Sequence, residues 1–138
     1  MDKALTFYDL DAQLSKELYE AYPQNVSFKN GLAISYEKLG ETHSALGNLD
    51  KALTFFEEYS RFNTELYEAY PQNVSFKNGL AISYWKLGDF NRKQSKIEQA
   101  RKYFQAAEKH WAELANAFPA YIQFSQYLDI VKKDLANL

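Results

Sequence analysis

An all-α chain of about six antiparallel helices, stacked one on the next as a solenoid, is the fold that this sequence predicts. Three observations point to it. The stretch Leu18–Tyr36 returns letter for letter as Leu66–Tyr84, and Pro23, Pro71 and Pro119 keep the same period of 48 residues. A fixed period of roughly 20–50 residues is the mark of stacked repeats. Within each period apolar residues fall three and four apart, as one face of a helix requires: Ile97, Ala100, Phe104, Ala107, Trp111, Leu114 and Phe118 form such a seam. Helix breakers are scarce, with 5 Gly and 3 Pro in 138 residues, which leaves room for long helices.

Taken in order, residues 2–22 carry the first seam, with Phe7, Tyr8, Leu14, Leu18 and Tyr19, and end at Pro23. Asn25 is placed to cap a helix over 26–46. Gly47-Asn48 ends that helix and opens the next, over 49–70. A second Tyr-Pro-Gln-Asn tetrapeptide offers Asn73 as cap for 74–94, whose apolar face is Phe76, Leu80, Tyr84 and Leu87. Ser95 and Glu98 have capping-box spacing, which predicts a helix over 97–118. Pro119 separates the last helix, 121–136. Gly40 and Gly88 either sit inside the helices, where each costs about 1 kcal/mol against Ala, or mark bends.

The copies have not diverged equally. Residues 1–48 match 49–96 at 29 of 48 positions, whereas 97–138 match 49–90 at only 10 of 42. The third copy still keeps the frame through Ala100, Phe104, Leu114, Pro119, Phe124, Leu128 and Leu135.

These spacings resemble the tetratricopeptide repeat, a helix–turn–helix unit of about 34 residues with the pattern W-x2-L-G-x2-Y, then A-x3-F, then P. The chain reads Lys29-x2-Leu32-Ala33-x2-Tyr36, Ala52-x3-Phe56, Pro71, and then Lys77-x2-Leu80-Ala81-x2-Tyr84, Ala100-x3-Phe104, Pro119. Lys and Ala replace the pattern's Trp and Gly. Tyr36 precedes Ala52 by 16 residues, about seven more than the pattern has. A heptad added to each helix accounts for the longer period and keeps the apolar face in phase. The resemblance covers the whole chain and implies a right-handed α-α superhelix.

On this frame residues 1–138 form one repeat domain: an orphan second helix at 1–22, full repeats at 23–70 and 71–118, and a C-terminal capping helix at 119–138. The chain starts mid-unit, so Phe7, Tyr8 and Leu14 are expected either to tolerate water or to form a self-association surface. Lys132, Lys133 and Asp134 give the last helix the polar face of a terminal cap.

Composition excludes several function classes. Net charge is −2 with both signs interspersed, so the basic track that nucleic acid needs beside stacking aromatics is missing. The sequence has no cysteine, which removes thiolate catalysis and cysteine-based metal sites. His43 and His110 stand on different helices without partners at metal-ligand spacing, and there is no Gly-rich phosphate loop or nucleophile elbow. No apolar run is long enough to span a bilayer, and the N-terminus does not read as a secretory signal. The expectations are a non-enzymatic cytoplasmic protein with no cofactor, metal, membrane or small-molecule substrate.

The resemblance implies a groove lined by the first helix of each unit. Transferred residue by residue, its positions are Ser27, Asn30, Ile34, Glu37 and Lys38, then Ser75, Asn78, Ile82, Trp85 and Lys86, with Gln123, Gln126, Ile130, Lys133 and Asp134 in the capping helix. Asn30 and Asn78 suit an extended peptide backbone. Trp85 replaces Glu37 in an otherwise identical stretch, so the repeat frame itself does not demand an aromatic there; it either anchors a partner or packs on a neighbouring helix. A Lys/Asn carboxylate clamp known in the family fails here, since its positions hold Asn30/Asn78 and Ile34/Ile82. The basic run Arg92, Lys93, Lys96, Arg101 and Lys102 reads as a solvated turn. The expected function is a scaffold that binds a protein or peptide in the groove. A self-assembling, homo-oligomeric or domain-swapping module and a regulatory segment of a larger signalling protein are the alternatives.

Overall fold

The computed structural model describes residues 2–138. Six helices follow one another: α1 (Asp2–Ala21), α2 (Val26–Ala45), α3 (Leu49–Ala69), α4 (Val74–Lys93), α5 (Ile97–Ala117) and α6 (Ile122–Ala136). Among the described residues there is no strand. The predicted boundaries hold within one or two residues, and the caps show why. Asn25 Oδ1 accepts from Phe28 N, and Asn73 Oδ1 from Phe76 N, each at 3.0 Å. Both asparagines thereby satisfy a backbone donor that the first turn leaves unpaired.

Helix α2 ends in a Schellman turn. Gly47 takes φ +82°, its N–H reaches Ser44 O at 3.1 Å and Asn48 N reaches His43 O at 2.8 Å. Helix α4 ends the same way without glycine. Ser95 sits at φ +61°, with Ser95 N on Arg92 O at 3.0 Å and Lys96 N on Asn91 O at 2.9 Å. The expected capping box is therefore corrected. Ser95 closes α4, and Lys96 holds the N-cap position of α5 without a side-chain bond.

The chain forms two compact units, the first ending at Leu66 and the second comprising Tyr67–Leu138. In the first, α1 lies antiparallel to α2, as Tyr22 against Phe28 and Asp11 against Ser35 show. Helix α3 returns along α2 through stacked His43–Phe55 and Tyr36–Phe62 rings, 5.5 and 5.7 Å apart. In the second, α4, α5 and α6 alternate direction around Ala81, Ala100, Phe104, Ala107, Trp111, Leu114, Phe124 and Val131, all under one tenth exposed. Burying side chains of Leu or Phe size contributes about 1.5–3 kcal/mol each.

Gly40 and Gly88 do not interrupt their helices. Each lies within one continuous helix, and each is where an aromatic ring closes on the backbone. A Cβ at Gly40 would lie 2.7 Å from the Phe56 ring, and one at Gly88 2.6 Å from the Phe104 ring. Real side chains do not approach so closely, so only glycine fits. This contact moves the pattern seven residues along the chain. The motif in contact is Tyr36-x2-Leu39-Gly40-x2-His43 with Ala52-x3-Phe56, repeated as Tyr84-x2-Leu87-Gly88-x2-Asn91 with Ala100-x3-Phe104. The turn at Gly47 is then of ordinary length. The added heptads lie at the opposite end, before Tyr36 in the first helix of the repeat and in the last turns of the second.

Candidate functional site

The shift of seven residues moves the first-helix face along itself by about two turns without rotating it appreciably. Ile34, Glu37, Ile82 and Trp85 remain on it in either register, and Glu41, Asp89 and Arg92 join it. In the first unit this face belongs to α2. Ile34 is 46% exposed, while Asn30, Glu37 and Lys38 are half-buried. The buried Tyr59 hydroxyl hydrogen-bonds with Glu37, and burial followed by the Glu37 carboxylate pushes its pKa far up.

In the second unit α4 and α6 present the same face. The Trp85 indole N–H donates to Asp134 Oδ2 at 2.7 Å, and the Lys86 ammonium lies 5.7 Å from the Trp85 ring centre. Trp85 thus packs on a neighbouring helix with its polar edge satisfied, and what it offers outward is the half-exposed ring beneath a cation. Asn78 is likewise engaged, because its Oδ1 accepts from Trp111 Nε1 at 2.9 Å. Ile82 packs partly against the core. Further along α4, burial alone would raise the Asp89 carboxyl, but hydrogen bonds from Arg92 and Lys93 outweigh it and hold it below the ordinary carboxylate value. The structure therefore groups Trp85, Lys86 and Asp134 in one place and shows Asn78 mainly as a structural partner.

Ile130 is the most informative residue on this face. Helix α6 keeps Phe124, Leu128, Ile130 and Leu135 from the second copy. Phe124 is buried and Leu128 and Leu135 pack against the core, whereas Ile130 stays 46% exposed, matching Ile34. Packing accounts for the other three and not for Ile130.

The self-association candidates lie on α1. Phe7 and Leu14 are 64% and 56% exposed. Tyr8 is half-buried, with its ring edge-on to Phe7 at 5.6 Å. Leu10, 62% exposed, belongs to the same surface. Sequence reading passed over it because its counterpart one repeat later is the polar Glu58.

Among the described residues no group of His, Cys, Asp and Glu is placed to hold a metal ion, and no helix is long and apolar enough to cross a membrane. His43 is buried, and its Nδ1 accepts from Asn48 Nδ2 at 3.2 Å. His110 is half-buried between tyrosines; burial, then Lys77, holds its pKa below the usual histidine value.

The tetratricopeptide repeat family model matches residues 33–63. That segment contains Tyr36, Gly40, Ala52 and Phe56, the residues of the glycine–phenylalanine contact and its motif. A search of curated proteins gave no match.

Proposed function

We propose, from the premise that this chain is a tetratricopeptide-like repeat protein, that it is a protein-binding scaffold whose first helices carry the docking face. Repeats of this family typically bind proteins or peptides. The observation that carries the reading is the isoleucine series: Ile34 and Ile130 are equally exposed at equivalent positions, the latter in a helix that changed most of its other residues. A β-branched apolar side chain held in water contributes little to folding, and on a surface that meets a partner it supplies buried area. In the first unit Ile34 is flanked by Asn30, Glu37 and Lys38. In the second, Ile82, Trp85, Lys86 and Ile130 offer apolar area with charges beside it, the mixed chemistry of an interface core and rim. An extended peptide or a single helix is the ligand that such a helix face accommodates, and side chains already held in place lower the ordering cost of binding.

Selection of a random peptide library on the whole chain, followed by anisotropy titration of the selected peptides, tests this. Ile34→Asp and Ile130→Asp, both at exposed positions, are expected to leave the melting temperature unchanged and weaken binding by about tenfold or more, roughly 1.4 kcal/mol. Unchanged affinity in both variants defeats the reading.

A further inference from the structure

The exposed face of α1 goes beyond the scaffold reading and stands independently of it. Lys3, Phe7, Leu10, Leu14 and Glu17 follow one another at steps of four, three, four and three, the a/d spacing of a helix that pairs with another helix. All five are exposed, with Phe7 at 64%, Leu10 at 62% and Leu14 at 56%. The order along this seam is a cation, three apolar residues and an anion, nearly symmetric about Leu10.

The chain contains its own example of what such a face receives. One repeat later Phe7, Leu14 and Glu17 become Phe55, Phe62 and Glu65 on α3. There helix α2 covers them: His43 stacks on Phe55, Tyr36 on Phe62, and Lys29 Nζ lies 3.5 Å from the Glu65 carboxylate. The α1 surface has the chemistry of a helix-receiving face, and no helix among the described residues covers Phe7, Leu10 or Leu14. Helix α6 is a poor candidate to supply it from a second copy. Where α2 and α4 bury Ala33 and Ala81 and stack Tyr36 and Tyr84, α6 has Asp129 and Lys132, and docking it would bury both charges.

We propose that α1 pairs antiparallel with α1 of a second copy, forming a two-fold dimer. With Leu10 at the axis, Phe7 of each chain meets Leu14 of the other, and Lys3 of each meets Glu17 of the other at both ends. The opposite orientation sets Lys3 against Lys3 and Glu17 against Glu17, so charge selects the antiparallel register. The interface is isologous and closes at two chains.

Sedimentation velocity of the whole chain over a wide concentration range tests the pairing. The wild type is expected to dimerise. Lys3→Glu and Glu17→Lys each place like charges together and are expected to weaken dimerisation by about tenfold, while the double exchange Lys3→Glu/Glu17→Lys restores it. Leu10→Lys, which sets two cations on the axis, is expected to give a monomer with an unchanged helical circular dichroism spectrum. A wild type that remains monomeric, or assembles beyond two chains, overturns the proposal. So does a double exchange as weak as the single ones, which would place the contact elsewhere.

Discussion

At position 62 of the first unit a phenylalanine ring meets two tyrosines, Tyr19 edge-on and Tyr36 stacked, both at 5.7 Å. One period later, in the second unit, the same place holds His110, edge-on to Tyr67 at 5.6 Å and stacked on Tyr84 at 6.0 Å. Even the ion pair beside it recurs, Lys29–Glu65 in one unit and Lys77–Glu113 in the other. The frame thus fixes the geometry of the ring cluster, and the residue placed in it sets the chemistry. Phenylalanine is at home there. Histidine brings a buried Nδ1 with no hydrogen-bond partner among the described residues, and such an atom costs free energy.

The largest difference between the units is expected at Trp111, which takes the place of Asn63. Trp111 is 2% exposed, stacks on Tyr127 and donates to Asn78. Trp111→Ala is expected to cost about 3–5 kcal/mol, the range for truncating a buried aromatic. Asn63→Ala removes one buried side-chain hydrogen bond, to Tyr59 O at 2.8 Å, and is expected to cost about 1–3 kcal/mol. Urea titrations of both variants check the contrast, and equal losses would break it.

The glycines come next. Gly88→Ala and Gly40→Ala drive a methyl group into a phenylalanine ring and are expected to destabilise by about 1–3 kcal/mol, despite alanine's better helix propensity. Gly31, also helical, has open space where a Cβ would go, so Gly31→Ala is expected to stabilise by up to about 1 kcal/mol. Thermal melts of the three variants should therefore show opposite signs. The two Schellman turns allow a smaller exchange. Ser95→Gly is expected to stabilise by about 1 kcal/mol and Gly47→Ser to destabilise by a similar amount, because the left-handed conformation disfavours a Cβ.

The smallest effect belongs to pH. His110 faces Lys77 and Tyr84 from α4, Lys109 and Glu113 from α5, and Tyr67 from α3. Its folded pKa is depressed, mainly by burial, so the unfolded chain binds the proton more readily. The stability from the neutral ring is therefore full above the ordinary histidine value of about 6.5, falls as pH drops through the folded pKa, and levels off below it. His110→Phe restores the first unit's arrangement and is expected to flatten that part of the pH–stability curve. Denaturant midpoints measured from pH 8 down to 5 check this, and an unchanged slope would remove His110 from the account.

Much of the architecture was legible because its signals are local. Asn25 and Asn73 announce their helices, Gly47 its turn, and the period of the prolines announces the repeat. The register was not legible, for a physical reason. Seven residues are nearly two turns, so a frame displaced by a heptad keeps every apolar residue on the correct face; the contacts of Gly40 with Phe56 and of Gly88 with Phe104 separate the two frames. Ser95 misled because serine suits both a helix N-cap and, less well, the left-handed position. Its alignment with Gly47 was the signal that decides between them. At the candidate site Ile34, Ile82 and Ile130 were visible as a series. The engagement of Trp85 with Asp134 was not, because the two residues lie 49 positions apart and α6 keeps few residues of the earlier copies.

Amide-resolved chemical-shift mapping of the whole chain, titrated with the tightest peptide from the library selection, tests the central claim most directly. The account predicts shifts concentrated at Ile34, Lys38, Ile82, Lys86 and Ile130 on the first helices. Shifts concentrated at Phe7, Leu10 and Leu14 of α1, or on α5, would contradict it.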